Sequence, residues 1–280
     1  MISCNNDSNN VFDVSLASKE EISLFCDVSE NMLKRINEPH NGYFIAESPK
    51  VIERAMDAGY EPLMMLMERK HLVGEAKEVA ARAEDIRIYV GETARIRDIL
   101  GYELTRGALC LMRRRDYPSI TDCFGNMRRI VILDNVENPT NIGAIVRSAA
   151  ALGVEGILFA NGCADPLFRR TIRVSMGNIF LIPWTVINKG DYMNEIHKLG
   201  FKTVAMALEE NSVEIDNELL NSEDKIAIIM GNEGDGLPKE TVKCCDYTVM
   251  IPMRKGVDSL NVSAAAAIAF WKFGLKDKDK

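Results

Sequence analysis

The sequence is short of the residues that build metal centres and disulfide frameworks. Histidine occurs three times, at His40, His71 and His197, too far apart for any local metal-ligand spacing. The seven cysteines are odd in number and scattered, with Cys244-Cys245 the sole adjacent pair and no C-x-x-C. That pattern fits reduced thiols and a cytoplasmic setting better than a stapled secreted fold. No apolar run approaches the ~18 residues of a membrane span. The opening Met1-Ile2-Ser3-Cys4-Asn5-Asn6-Asp7 has neither the basic region nor the apolar core of a secretory signal. No ordered G-x-G-x-x-G follows a first strand, which argues against a dinucleotide-dependent oxidoreductase. A net charge of −7 argues against a general nucleic-acid coat protein, whose affinity would come from phosphate neutralisation.

What is present is an ordinary globular composition, 47% hydrophobic and 27% charged over 280 residues, with a soft expectation of about two domains. Positive charge is uneven. Arg106, Arg113, Arg114, Arg115, Arg128 and Arg129 form one cluster, and Arg169, Arg170 and Arg173 a second. Composition alone reads both as solvated faces.

Residues 1–20, rich in Asn, Ser and acidic side chains, read as a loose arm. Residues 21–112 alternate elements. A helix is expected over Glu21–Ile36, a strand over Gly42–Ala46 and a helix opened by Ser48-Pro49. Strands at Pro62–Met67, Ile86–Val90 and Ala108–Met112 follow, with a helix at Glu75–Ala83. Residues 113–128 read as a linker. Residues 129–280 offer near-continuous apolar strands at Ile130–Leu133, Ile157–Phe159, Ile179–Ile182, Thr203–Met206, Ile226–Met230 and Tyr247–Ile251. Helical patterns between most of them point to a parallel sheet covered on both faces. The fold class is α/β.

Three polar turns follow strands of this second region, where open α/β sheets bind ligands. They are Asp134 to Gly143, the glycine-rich Gly231-Asn232-Glu233-Gly234-Asp235-Gly236, and Ile251 to Ser263 before an alanine-rich helix ending at Gly274. Any one of them could be a plain strand–loop–helix corner, with Asn261 or Ser263 as the helix cap in the last case.

Together they resemble the SpoU/TrmH family of RNA ribose 2′-O-methyltransferases, within the SPOUT superfamily. The resemblance lies in Asn138-Pro139-Thr140-Asn141-Ile142-Gly143-Ala144-Ile145-Val146-Arg147-Ser148-Ala149, in Ile229-Met230-Gly231-Asn232-Glu233-Gly234 with Gly236-Leu237, and in Ile251-Pro252-Met253 with Ser259-Leu260-Asn261-Val262-Ser263. Ala164-Asp165-Pro166 and Ser175-Met176-Gly177 add a fourth segment. It is strong over residues 129–273. More weakly, residues 42–112, Glu47-Ser48-Pro49-Lys50-Val51-Ile52 above all, resemble the family's L30e-like substrate-binding domain.

The resemblance implies a trefoil-knotted C-terminal methyltransferase domain, a homodimer, and S-adenosylmethionine as cofactor. It implies methylation of a ribose 2′-hydroxyl in structured RNA, 23S rRNA first, with no metal and no membrane partner. A tRNA substrate and a non-catalytic RNA-binding paralogue are the alternatives. Carried over, Arg147 is the catalytic arginine, oriented by Asn141, with Glu233, Ser259 and Asn261 completing the polar cluster. Gly231, Asn232, Gly236, Ile251, Met253 and Leu260 hold the cofactor. The family context also makes Arg113, Arg114, Arg115, Arg169, Arg170 and Arg173 candidates for phosphate contacts. Two departures stand out: Asn138 replaces a common aspartate, and Arg254-Lys255 replace small residues.

Overall fold

The computed structural model describes residues 10–104, 107–187, 191–209, 211–232, 234–256 and 259–275. The chain divides between Asp116 and Tyr117 into two compact units, and Leu167–Arg169 group with the first.

The first unit carries β1 (Val11–Asp13), α1 (Lys19–Cys26), α2 (Glu30–Arg35), β2 (Tyr43–Glu47), α3 (Pro49–Asp57), β3 (Pro62–Glu68), α4 (Arg69–Leu72), α5 (Lys77–Ala81), β4 (Arg87–Gly91), α6 (Thr93–Leu100) and β5 (Ala108–Arg113). Its five strands form a mixed sheet in the order β1-β4-β3-β5-β2. β4 runs parallel to β1 and β3, and β5 antiparallel to β3 and β2. Ser48 caps α3 by accepting from the Val51 N–H, and Pro49 occupies the first turn, where its missing N–H costs nothing. Phe25, Leu33, Ile45, Leu66, Ile96 and Leu109 fill the core.

Several expectations are corrected here. Part of the supposed loose arm is structured: Val11–Asp13 pair with Ile88–Val90. The single helix over Glu21–Ile36 is two helices, because Ser18 and Ser29 each cap a new start. Ser18 also makes a capping box with Glu21. Helix α6 was not anticipated, although buried Ile96 and Leu100 one turn apart, followed by Gly101 in the left-handed region, spell an amphipathic helix and its stop.

The second unit carries α7 (Ile120–Phe124), β6 (Arg129–Asp134), α8 (Pro139–Ala151), β7 (Gly156–Ala160), α9 (Arg169–Val174), β8 (Trp184–Ile187), α10 (Tyr192–Lys198), β9 (Lys202–Met206), β10 (Val213–Glu214), β11 (Ile226–Met230), α11 (Lys239–Cys244), β12 (Tyr247–Met250) and α12 (Val262–Phe273). Arg169, the first residue of α9, is the one assigned to the first unit. The sheet has seven strands in the order β10-β12-β9-β11-β6-β7-β8, and every pairing is parallel. Central β11 and all of β6 beyond Arg129 are buried, as a sheet covered on both faces requires. Alternation within the strands sorts the faces. Ile130, Ile132, Ala227 and Ile229 pack with Phe124 of α7 and with Tyr192 and Ile196 of α10. Helices α8 and α12 pack on each other, and α12 also packs on β11.

Two segments differ from expectation. The linker 113–128 contains α7, capped by Ser119 and anchored by buried Ile120 and Phe124. Ile179–Ile182 is not a strand: Asn178–Phe180 is a 3-10 turn, and after Pro183 the strand is Trp184–Ile187. Ile179, Phe180 and Ile182 are apolar because they are buried, and burial alone does not distinguish strand from turn.

Asp246 fastens the start of β12 to β9. It accepts from Lys202 Nζ at 2.8 Å and from the Thr203 N–H and hydroxyl, both at 2.9 Å. Burial alone would raise this carboxyl, but these bonds outweigh it and hold the pKa at about 2, against an ordinary 3.8. A depressed folded value means the contribution is full above 3.8 and is lost as pH falls through about 2. Asp246→Asn is therefore expected to be less stable than wild type at neutral pH, with the gap closing over roughly pH 4 to 2 in urea titrations. A gap that stays constant across that window would show that Asp246 carries no linked proton.

Candidate active site

The carboxyl ends of β9, β11 and β12 lie side by side, and the segments that follow them enclose a cavity of about 330 Å³. That is near the lower end of the ~300–1,000 Å³ of small-molecule sites. Met206, Ala207, Leu208 and Glu209 line it from β9 onward. Met230 to Asn232 and Gly234 to Leu237 contribute from β11, and Val249 to Ile251 with Met253 from β12. Ser259, Leu260, Val262 and Ala265 close it from the approach to α12. All six residues expected to hold the cofactor, Gly231, Asn232, Gly236, Ile251, Met253 and Leu260, are in this lining, and so is Ser259. The wall is rich in methionine, a polarizable side chain that adapts to a flat ring. Sequence reasoning missed the Met206–Glu209 wall, because its approach to the cavity depends on β9 lying between β11 and β12 in the sheet.

Backbone geometry shapes the floor. Asn232 and Gly236 exchange N–H···O=C bonds in both directions at 3.1 Å, closing the turn on itself. A Cβ on Gly231 would lie 2.6 Å from the Gly236 carbonyl and the Leu237 nitrogen, so only glycine lets the two backbone segments approach this closely. The Asn232 side chain holds both flanks: its Oδ1 accepts from the Gly234 N–H at 2.8 Å, and its Nδ2 donates to the Asn135 carbonyl at 3.1 Å. Glu233, expected in the polar cluster, lies outside the described residues.

Asn261 joins two of the motifs. Its Oδ1 accepts from the Ser263 N–H at 3.0 Å and so caps α12, while its Nδ2 donates to Asn141 Oδ1 at 3.3 Å. Asn141 is buried in the first turn of α8, which Asn138 caps through the Thr140 N–H. The common aspartate is thus replaced by a residue that does the same capping. On α8, Ile142, Ile145, Val146 and Ala149 are buried and Arg147 is exposed. Gly143 admits α9 against α8: a Cβ there would meet Val174 Cβ at 2.7 Å and the Thr171 carbonyl at 2.8 Å. On α9, Arg170 donates from Nε to Thr140 Oγ1 at 3.0 Å, and Arg173 is exposed. Among the described residues, Arg147, Arg170 and Arg173 form no ion pair with a carboxylate.

The other candidate arginines are engaged within the first unit. Arg113 pairs with Glu61 at 2.7 Å. Arg114 is 4% exposed and donates to the Tyr43 carbonyl. Arg115 donates to the Ala58 carbonyl at the end of α3 and lies over the Tyr60 ring. Arg169 pairs with Glu47 at 3.2 Å and donates to the Tyr102 hydroxyl at 2.6 Å. Buried Arg114 is therefore a poor candidate for a phosphate contact, a point on which charge clustering in the sequence misleads. Cys163 and Cys245 are not activated thiols, since burial pushes both up to about 12. Among the described residues, no group of three or more His, Cys, Asp or Glu is placed to hold a metal, and no helix is long and apolar enough to cross a membrane.

The description SpoU rRNA Methylase family matches residues 128–271. An uncharacterized tRNA/rRNA methyltransferase of Mycobacterium bovis is 35% identical over 233 residues, covering 81% of this chain and 79% of that protein. The 23S rRNA (guanosine(2553)-2′-O)-methyltransferase RlmP of Bacillus subtilis is 29% identical, covering 72% of this chain and 85% of its own. The crystal structure of an AdoMet-bound rRNA methyltransferase from Sinorhizobium meliloti superposes with a TM-score of 0.76 at 25% identity, covering 94% of this chain and 97% of that one. With motifs, sheet and cavity in agreement, the chain belongs to the SpoU rRNA methylase family.

Proposed function

We propose that this protein is an S-adenosylmethionine-dependent methyltransferase that methylates a ribose 2′-hydroxyl in 23S rRNA. The observation that carries the reading is the convergence of the second and third motifs on one cavity, with the third tied to the first through Asn261 and Asn141. The similarity to an rRNA 2′-O-methyltransferase and to an AdoMet-bound structure supports the substrate and the cofactor. The residues fit that cofactor: methionine and leucine side chains offer an apolar slot for a base, and the 231–236 turn brings main-chain polar groups to the wall.

When bound, S-adenosylmethionine supplies an electrophilic methyl group. The protein's part is to place the ribose hydroxyl in line and ease loss of its proton. Arg147 is exposed and does not line the cavity, so its guanidinium faces substrate rather than cofactor in this reading. With a pKa above ~12 it stays charged, and it acts by polarising the hydroxyl or binding the adjacent phosphate, not as a base. Asn141 and Asn261 order the helix starts around it. Arg170 and Arg173 extend the basic face toward further phosphates. Within the first unit, residues 21–112 serve as the RNA-binding domain in this reading, and the family's threading of the C-terminal segment belongs to it too. Ile268 and Trp271, exposed on α12, mark the face for a second copy of the chain.

Incubation with methyl-labelled S-adenosylmethionine should label 23S rRNA; label on tRNA alone would redirect the substrate, and no label with no cofactor binding would overturn the reading. Arg147→Ala should lower kcat about 100-fold or more while cofactor affinity stays within about twofold. Loss of cofactor binding in that variant would place Arg147 in the wrong role. Arg173→Glu should weaken RNA binding and flatten its salt dependence by about one unit of slope. An unchanged slope would return Arg173 to the solvated surface. Sedimentation should give a dimer, and Trp271→Glu a monomer; a wild-type monomer at working concentration would exclude the shared face.

A further inference from the structure

Asp134 ends β6 with a carboxylate that is 1% exposed, and no part of the chemistry above uses it. Among the described residues no cation lies within ion-pair distance of it. Its charge is held by three neutral donors on three different segments. Asn161 Nδ2 donates to Oδ1 at 3.0 Å from the loop after β7. The Tyr192 hydroxyl of α10 donates to Oδ2 at 2.7 Å, and the Thr241 hydroxyl of α11 to the same oxygen at 3.3 Å. Burial and the adjacent Asp134 charge push the Tyr192 phenol upward, which keeps it a donor. A buried charge met by this many donors is costly to disturb, since losing one leaves the carboxylate undersatisfied in a dry site.

The three bonds are not scattered in their consequences. Helix α11 begins two residues after Leu237, the last residue of the cavity floor, and Thr241 lies in its first turn. Asn135, next to Asp134, sits at φ +61 and donates its N–H to the Asn161 carbonyl at 2.9 Å. Its own carbonyl receives Asn232 Nδ2 from the 231–236 turn. The turn is thus held from its C-terminal side through α11 and from its body through Asn135, and both routes end at Asp134.

We propose that Asp134 is a positioning residue for the methyl donor: by binding Thr241 and, with Asn161, fixing Asn135, it holds the 231–236 turn in the shape that lines the cavity. This rests on the cavity being the S-adenosylmethionine site. Asp134 touches neither cofactor nor substrate, so its contribution appears in cofactor affinity and not in the chemical step.

The test pairs calorimetric titration of S-adenosylmethionine with steady-state kinetics and thermal unfolding. Thr241→Val keeps the side-chain shape and deletes one donor. It should raise the cofactor Kd and KM about threefold to tenfold, the scale of one buried hydrogen bond, with kcat at saturating cofactor within about twofold. Thr241→Ser should restore wild-type affinity. Asp134→Asn should weaken binding further; where it fails to fold, Tyr192→Phe replaces it as the second variant. If Thr241→Val and Tyr192→Phe lower thermal stability and leave Kd unchanged, Asp134 is only a strand-end anchor and the proposal is overturned. A folded wild-type protein that does not bind S-adenosylmethionine overturns the functional reading, and this proposal with it.

Discussion

The site depends on one close approach of backbone to backbone. Gly231 lies against the Gly236 backbone with no room for a Cβ of its own, and Asn232 and Gly236 exchange both their main-chain hydrogen bonds. A turn this tight needs support, since its glycines give up more conformational freedom on folding than any other residue. Asn232 provides that support at both of its side-chain ends.

A second constraint is the all-parallel sheet. Parallel strands require crossover connections, so every strand of the second unit ends at the same edge. There the segments after β9, β11 and β12 become neighbours although they are far apart in sequence. Helices α8 and α12 start at that edge too, and their caps are linked by the Asn261–Asn141 bond. Pocket, exposed arginine and capped helices are consequences of one topology, with local sequence supplying the turn chemistry.

Much of this was legible in the sequence, for physical reasons. The central strands are continuous apolar runs, and a run such as Ile226–Met230 is short enough, and apolar enough, to be a strand buried on both faces. Asn138-Pro139, Ser48-Pro49 and Asn261 announce helix starts through capping chemistry that is local by nature. Less legible was anything that requires tertiary context. Ile179–Ile182 is as apolar as a strand but packs as a turn. The clustered Arg113, Arg114 and Arg115 look like a basic patch, yet each satisfies a carboxylate or a carbonyl within the first unit. Charge counting cannot separate an arginine that serves the fold from one left for a ligand; burial and partners can. By that criterion exposed Arg147 and Arg173 are set apart, with Arg170 tied to the Thr140 hydroxyl and to no carboxylate among the described residues.

The central claim is that this geometry delivers a methyl group to a sugar hydroxyl. The most direct measurement is mass spectrometry of nucleosides released from 23S rRNA after incubation with the protein and S-adenosylmethionine. The account predicts one added methyl that stays with the ribose fragment when the glycosidic bond breaks. A methyl retained on the base would contradict it.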